Sequence, residues 1–214
     1  MKIRIWDLPL RLFHWLLVMA VIGSFVSVKL GGNAMIWHGR FGYIVLALIF
    51  FRLVWGFVGT HHARFVNFIR FPKAILTYLK NPAETPGHSP MGAVSVLVLL
   101  ALFLAQALAG LFATDDIAFD GPFAKYVASA WVELLTSFHR WNEWVLLALV
   151  AVHVGAILYY KYAKRINLTS AMITGDKELE DAAMVPLIQD DSKVRLKAMA
   201  ILIAIALIMY YFLR

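Results

Sequence analysis

Seven histidines carry most of the chemistry open to this chain, which contains no cysteine. The missing thiols exclude disulfides, thiolate zinc sites, iron–sulfur clusters and haem attached through a C-x-x-C-H motif. His61, His62 and His88 fall in a polar stretch, where a solvated imidazole is the ordinary expectation. His14, His38, His139 and His153 fall instead within or at the ends of long apolar runs. Ionisable groups in such runs are costly and mark functional positions. A single one could merely hydrogen-bond a neighbouring helix, so four of them invite a geometric test. His139 and His153 are 14 residues apart, which in an α-helix is about 21 Å along the axis and within roughly 40° of the same face. One helix would aim two imidazoles in one direction at two depths.

The elements that must position these residues are spanning helices. The chain has 214 residues, 62% of them hydrophobic and 15% charged, with a mean hydropathy of +0.74. Soluble domains average about half apolar and a quarter charged, so a soluble enzyme and a disordered tail are both excluded. Long apolar runs cover residues 8–28, 37–58, 91–113, 138–162 and 198–213. The first four reach the ~20 residues that cross a ~30 Å hydrocarbon core. The fifth has 16 residues and is expected to span or to sit as an accessory helix. Residues 6–28 lack a small-residue cleavage site and read as a first span rather than a signal peptide.

Charge sets the expected orientation. Fifteen of the 20 Lys and Arg residues fall on one side, among them Arg11, Arg64, Arg70 and Lys197. The other side has Lys29, Arg40, Lys125, Arg140 and Arg214, together with Asp115, Asp116 and Asp120. The positive-inside bias places the N-terminus in the cytoplasm and, after five spans, Arg214 outside. The basic residues are thus topology signals, and nucleic acid is not an expected partner. A proline-bearing inner loop over residues 61–90 (Pro72, Pro82, Pro86, Pro90) is expected to hold a short surface helix near 71–79. Residues 114–130 form an acidic outer loop with an Asp120-Gly121-Pro122 turn, and 172–197 a polar connection. The expected organisation is a four-helix domain over 1–170, a connection over 171–197 and a last helix over 198–214.

This order of spans puts His14 and His153 at the inner depth and His38 and His139 at the outer depth. Two imidazoles facing one another across a gap are what a six-coordinate haem iron accepts, and facing helices of a bundle are where cofactors are held. Zinc competes, but it prefers four ligands around one point, and only Glu143 stands near the outer pair. Two haems per chain are therefore expected, of b type because no cysteine can attach them. Gly42, one turn from His38, would let a flat macrocycle approach the backbone or would equally serve close helix packing. Arg52 would pair with an inner haem propionate or snorkel to headgroups. Arg140 and Arg40 are candidates for the outer propionates. His61, His62, His88 and the basic loop are candidates for a quinone site or for anionic lipid headgroups.

Four segments, DLPLRLFHWLL, WHGRFGYIVLALIFFRLVWGFVG, GHSPMGA and FHRWNEWVLLALVAVHVGAILYY, resemble the prokaryotic cytochrome b561 family over about residues 5–177. That family includes the b-type subunit of nickel–iron hydrogenases. The resemblance implies an all-α integral membrane protein, with four helices carrying two b haems on the four matching histidines. The helix after Ala198 departs from that four-helix core. By this resemblance the chain would pass electrons between membrane quinone and a periplasmic redox partner, such as a hydrogenase or a cytochrome c. An electron-transfer subunit stands ahead of a stand-alone oxidoreductase, for example a superoxide:quinone oxidoreductase. A membrane anchor or metal transporter is the non-redox alternative. The acidic outer loop would suit transient docking of a basic redox protein, or would simply follow the charge rule.

Overall fold

The computed structural model describes residues 1–69, 72–81, 85–117, 119–179 and 185–213. Arg70 and Arg214, used above to orient the chain, lie outside the described residues, as do Phe71 and Pro82. Eight α-helices are present among the described residues: α1 (Leu8–Leu30), α2 (Met35–Val58), α3 (Phe65–Phe68), α4 (Pro72–Lys80), α5 (Pro90–Gly110), α6 (Ser129–Tyr162), α7 (Leu168–Thr174) and α8 (Ser192–Leu213). Two short strands accompany them, β1 (Lys2–Arg4) and β2 (Asp176–Glu178).

Helices α1, α2, α5, α6 and α8 are each long and apolar enough to cross a membrane. Hydrocarbon offers the backbone no partner, so such runs must close their hydrogen bonds internally. Their outward side chains are apolar, for example Met19, Phe57, Val152 and Leu207, all more than 60% exposed. The fifth element is better formed than its apolar run suggests. Helix α8 has 22 residues because the polar Ser192–Lys197 segment is also helical, with Asp191 accepting from the amide of Val194. Helix α6 has 34 residues and starts at Ser129, which makes it about 51 Å long and brings Glu133 into the same helix as Glu143. Helix α5 stops at Gly110, where the amides of Leu111 and Phe112 turn back to Leu108 and Ala109. The surface helix expected near 71–79 is α4.

The chain divides into two compact units. One comprises residues 1–13, 51–98 and 152–201. Here β1 pairs antiparallel with β2, Ile3 opposite Lys177, where the sequence reading expected only a polar connection. Gly175 makes the pairing possible. Its φ of +89° ends α7, its carbonyl accepts from the amides of Ile5 and Trp6, and a Cβ there would lie 2.6 Å from the Trp6 oxygen. Ion pairs from Arg4 to Asp176 at 2.6 Å and to Asp190 at 3.0 Å join the same segments. Asp7, fully buried, accepts from the Leu10 amide at the start of α1, as a helix-capping carboxylate does, and from Trp55 Nε1 and Thr60 Oγ1.

The other unit comprises residues 14–50, 99–151 and 202–214. Gly31 and Gly32, with φ of +65° and +52°, make the tight reversal from α1 into α2. Gly23 admits the Phe41 ring, which a Cβ would meet at 2.7 Å. Lys29 reaches Glu143 at 2.8 Å. The acidic loop is tied by a bridge between Thr114 and Asp120.

Candidate functional site

Within the second unit, α2 and α6 bring the rings of His38 and His139 to 6.0 Å between centroids, with their planes at 87°. Each ring is held by a different helix. His38 Nδ1 lies 2.9 Å from the Ser24 carbonyl on α1, with Ser24 Oγ at 3.1 Å. His139 Nδ1 lies 2.9 Å from the Gln106 carbonyl on α5. A carbonyl can only accept, so each Nδ1 carries the proton and donates it. The lone pair is then on Nε2 in both rings, the arrangement by which a metal-binding histidine is oriented through its other nitrogen.

The surroundings fit a flat iron macrocycle. Two metal–nitrogen bonds of about 2 Å, plus the distance from each nitrogen to its ring centre, come to roughly the observed separation. A Cβ at Gly42, one turn from His38, would meet nothing within 4 Å, so this position opens space rather than closing a helix contact. Gly110 has the opposite role. A Cβ there would lie 3.0 Å from His139 Cε1, so the missing side chain seats the imidazole. Gln106 also donates its side-chain amide to the His139 carbonyl and accepts from Asn142, itself fully buried. Among the described residues no three of His, Asp and Glu converge on one point, and Glu143 is committed to Lys29. Two imidazoles are fewer donors than the four that zinc prefers around one point.

His14 belongs to the second unit and His153 to the first; both are partly buried. The expectation that they pair comes from their positions along the sequence.

Arg52, in the first unit, resolves one of the alternatives. It is only 2% exposed, with its guanidinium 4.7 Å from the Phe65 ring centre and 5.9 Å from that of Phe68. It does not snorkel outward. Among the described residues neither terminal nitrogen, Nη1 or Nη2, has a hydrogen-bond partner, and both are buried. Ring faces and the charge of the buried Asp7 offset part of that cost, and a carboxylate such as a propionate would accept the hydrogen bonds that Nη1 and Nη2 lack.

Two of the three loop histidines, His62 and His88, pack against other segments, contrary to the expectation that they are solvated, while His61 keeps partial exposure. His62 is buried, with Nε2 at 3.1 Å from the Pro186 carbonyl; burial lowers its pKa and that bond partly restores it. His88 is packed between Trp6 at 4.7 Å and Phe68 at 4.3 Å. Burial pushes its imidazole down to about 3, with Arg52 and His62 adding to the shift. The reason is tertiary: the N-terminal segment and α3 close over a loop that looks polar in sequence.

The exposed candidates are less committed. Arg140 is exposed, and Arg40 lies over its neighbour Trp37 at 4.8 Å. Asp115 accepts from the amides of Ile117 and Phe119, so it shapes its own loop. Sequence reasoning overlooked Ser24, Gln106, Asn142 and Asp7. Gln106 and Asn142 carried a signal, being lone amides in apolar runs, and Asp7 stood one residue before a helix. Ser24 carried none.

Comparison with known proteins identifies a family. A family profile described as "Prokaryotic cytochrome b561" matches residues 5–175. A probable Ni/Fe-hydrogenase B-type cytochrome subunit of Rhizobium leguminosarum bv. viciae is 24% identical over 217 aligned positions, covering 84% of this chain and 90% of the relative. The corresponding protein of Azotobacter vinelandii is 26% identical over 218, with the same coverage. No solved structure matches at a significant level.

Proposed function

The chain belongs to the prokaryotic cytochrome b561 family, and from that premise we propose that it conducts electrons across the membrane through two b haems. His38 and His139 hold one haem, and His14 and His153 the other. The observation that carries this reading is the outer pair, with both Nδ1 protons given to carbonyls of other helices and both Nε2 lone pairs left for a metal. Between two imidazoles a haem iron supplies reversible one-electron transfer.

The protein's own part is positioning and charge. Ser24 and Gln106 fix the tautomer and direction of the outer rings, Gly42 leaves room beside them, and Arg52 supplies a buried positive charge toward a propionate of the inner haem. Arg140 serves the outer propionates from the exposed end of its helix turn. The inner end, rich in Lys and Arg, faces the cytoplasm of a bacterial inner membrane, and the N-terminus lies on that side. Quinone is the membrane-borne partner. Relatives named as hydrogenase cytochrome subunits support a hydrogenase-type redox protein as the periplasmic one. A metal transporter would need carboxylates along its path, and Glu143 is already paired with Lys29.

Pyridine-haem analysis of the purified chain is the direct test. Two haems per polypeptide are expected, and one or none would overturn the pairing. Each single replacement of His14 or His153 by Ala should remove one haem and leave the spectrum of the other.

A further inference from the structure

A groove of about 400 Å³ opens in the first unit, where the end of α2 and the turn after it meet the start of α8. Its polar wall is basic. His61, Arg64 and Lys197 line it, and Lys197 gives one proton to the Val58 carbonyl at 2.7 Å. His61 Nδ1 and Arg64 Nε are shut off from solvent with no hydrogen-bond partner among the described residues. Among the described residues none that lines it is acidic. Asp190, next to the lining residue Gln189, is committed to Arg4, Arg11 and Arg195. The other wall is apolar, formed by Val58, Leu187, Ile188 and Val194.

These two walls ask for different things from one ligand. Two fixed cations with an unsatisfied N–H call for an anion that accepts several hydrogen bonds, which a neutral quinone head does not offer. The apolar wall would stay uncovered by a free phosphate ion. The groove also lies where two spanning helices end, the depth at which a bilayer presents its phosphates, and basic pockets between spanning helices hold such headgroups. We propose that this groove binds the phosphodiester headgroup of an anionic membrane phospholipid, with an acyl chain lying along Val58 and Val194. The site is composite. Residues 55–64 belong to the stretch matched by the family profile, whereas residues 187–197 lie beyond its end at 175, so the lipid joins the C-terminal segment to the family core. This inference is independent of the haem assignment.

The test uses the full haem-loaded chain, delipidated in mild detergent and titrated with phosphatidylglycerol or phosphatidylcholine, with binding read by native mass spectrometry. Phosphatidylglycerol should bind the unaltered chain selectively. The pair Arg64→Gln with Lys197→Gln should weaken it by at least about tenfold, Arg64→Lys should weaken it less, and Lys193→Gln, outside the groove, should leave it unchanged. The haem spectrum of each variant reports its fold separately. Equal binding of the two lipids by the unaltered chain would overturn the proposal, and that arm needs no variant to fold. So would full retention of phosphatidylglycerol by the double variant. Displacement by millimolar inorganic phosphate would assign the groove to the free ion, and displacement by a short-chain quinone would assign it to quinone; either result replaces the lipid.

Discussion

In the unit holding residues 14–50 and 99–151, the nitrogens His38 Nδ1 and His139 Nδ1 each meet a carbonyl of a different helix. In the unit holding residues 1–13 and 51–98, Arg52 and His88 are instead enclosed by rings, and Arg52 Nη1, Nη2 and His88 Nδ1 are buried without hydrogen-bond partners among the described residues. The first environment directs a lone pair, because a proton fixed on one ring nitrogen leaves the other available to a metal. The second stores electrostatic demand. A guanidinium cannot shed its proton, so Arg52 keeps its charge, balanced in part by Asp7 and with its terminal nitrogens left for a hydrogen-bonding anion, whereas His88 meets the same burial by staying neutral. Satisfied shells therefore mark where a ligand atom is aimed, and unsatisfied ones mark where a charge is awaited or suppressed.

The largest test of this contrast is His38→Ala or His139→Ala. Either should abolish one of two haems, read as a halved pyridine-haem value with the second spectrum preserved. Retention of both haems would show that the aimed lone pairs bind something else. Gly42→Leu comes next. The polypeptide alone leaves open space there, so the chain should fold, yet haem retention beside His38 should fall by about tenfold, as overpacking costs of 1–3 kcal/mol would give. An unchanged affinity would move the macrocycle away from Gly42.

Arg52→Gln should leave both haems bound while lowering the midpoint potential of the inner one by roughly 60 mV, a tenfold shift in a one-electron equilibrium. Removing a positive charge near an iron centre stabilises its oxidised form, which gives the direction. A fall in the outer haem's potential instead would relocate the guanidinium's partner.

The smallest effect belongs to His88→Phe. An unfolded histidine takes up its proton near 6.5, while the buried one does so only near 3. Between those values the unfolded state binds more protons, so the contribution of neutral His88 is complete above about pH 6.5 and is lost as pH falls toward 3. The variant should show a shallower loss of thermal stability over that window. An identical slope would mean that His88 is not enclosed in the membrane-embedded protein.

Much of the framework was legible from residue order. Five apolar runs became five helices capable of spanning, and the depth argument led to the His38–His139 pair. The extent of α6 was not legible, because the segment over 129–137 mixes Glu133 and Thr136 with apolar residues and carries no distinctive period. The solvated reading of His62 and His88 failed for a related reason. Local polarity of a loop does not reveal that Trp6, Phe68 and Pro186 fold over it.

Sequence alone determined the helices and the phase of their histidines, since a long apolar run has one economical way to pair its backbone in hydrocarbon and 3.6 residues per turn settles which side chains share a face. Tertiary structure decided which nitrogen of each ring is protonated, whether Arg52 is enclosed or reaches outward, and that β1 pairs with β2. Those outcomes depend on partners such as Gln106 for His139, 33 residues away, and Asp176 for Arg4, 172 residues away. Nothing in the local pattern specifies which distant group will arrive, because a hydrogen bond depends on the position of both atoms and each residue's neighbours in sequence constrain only one.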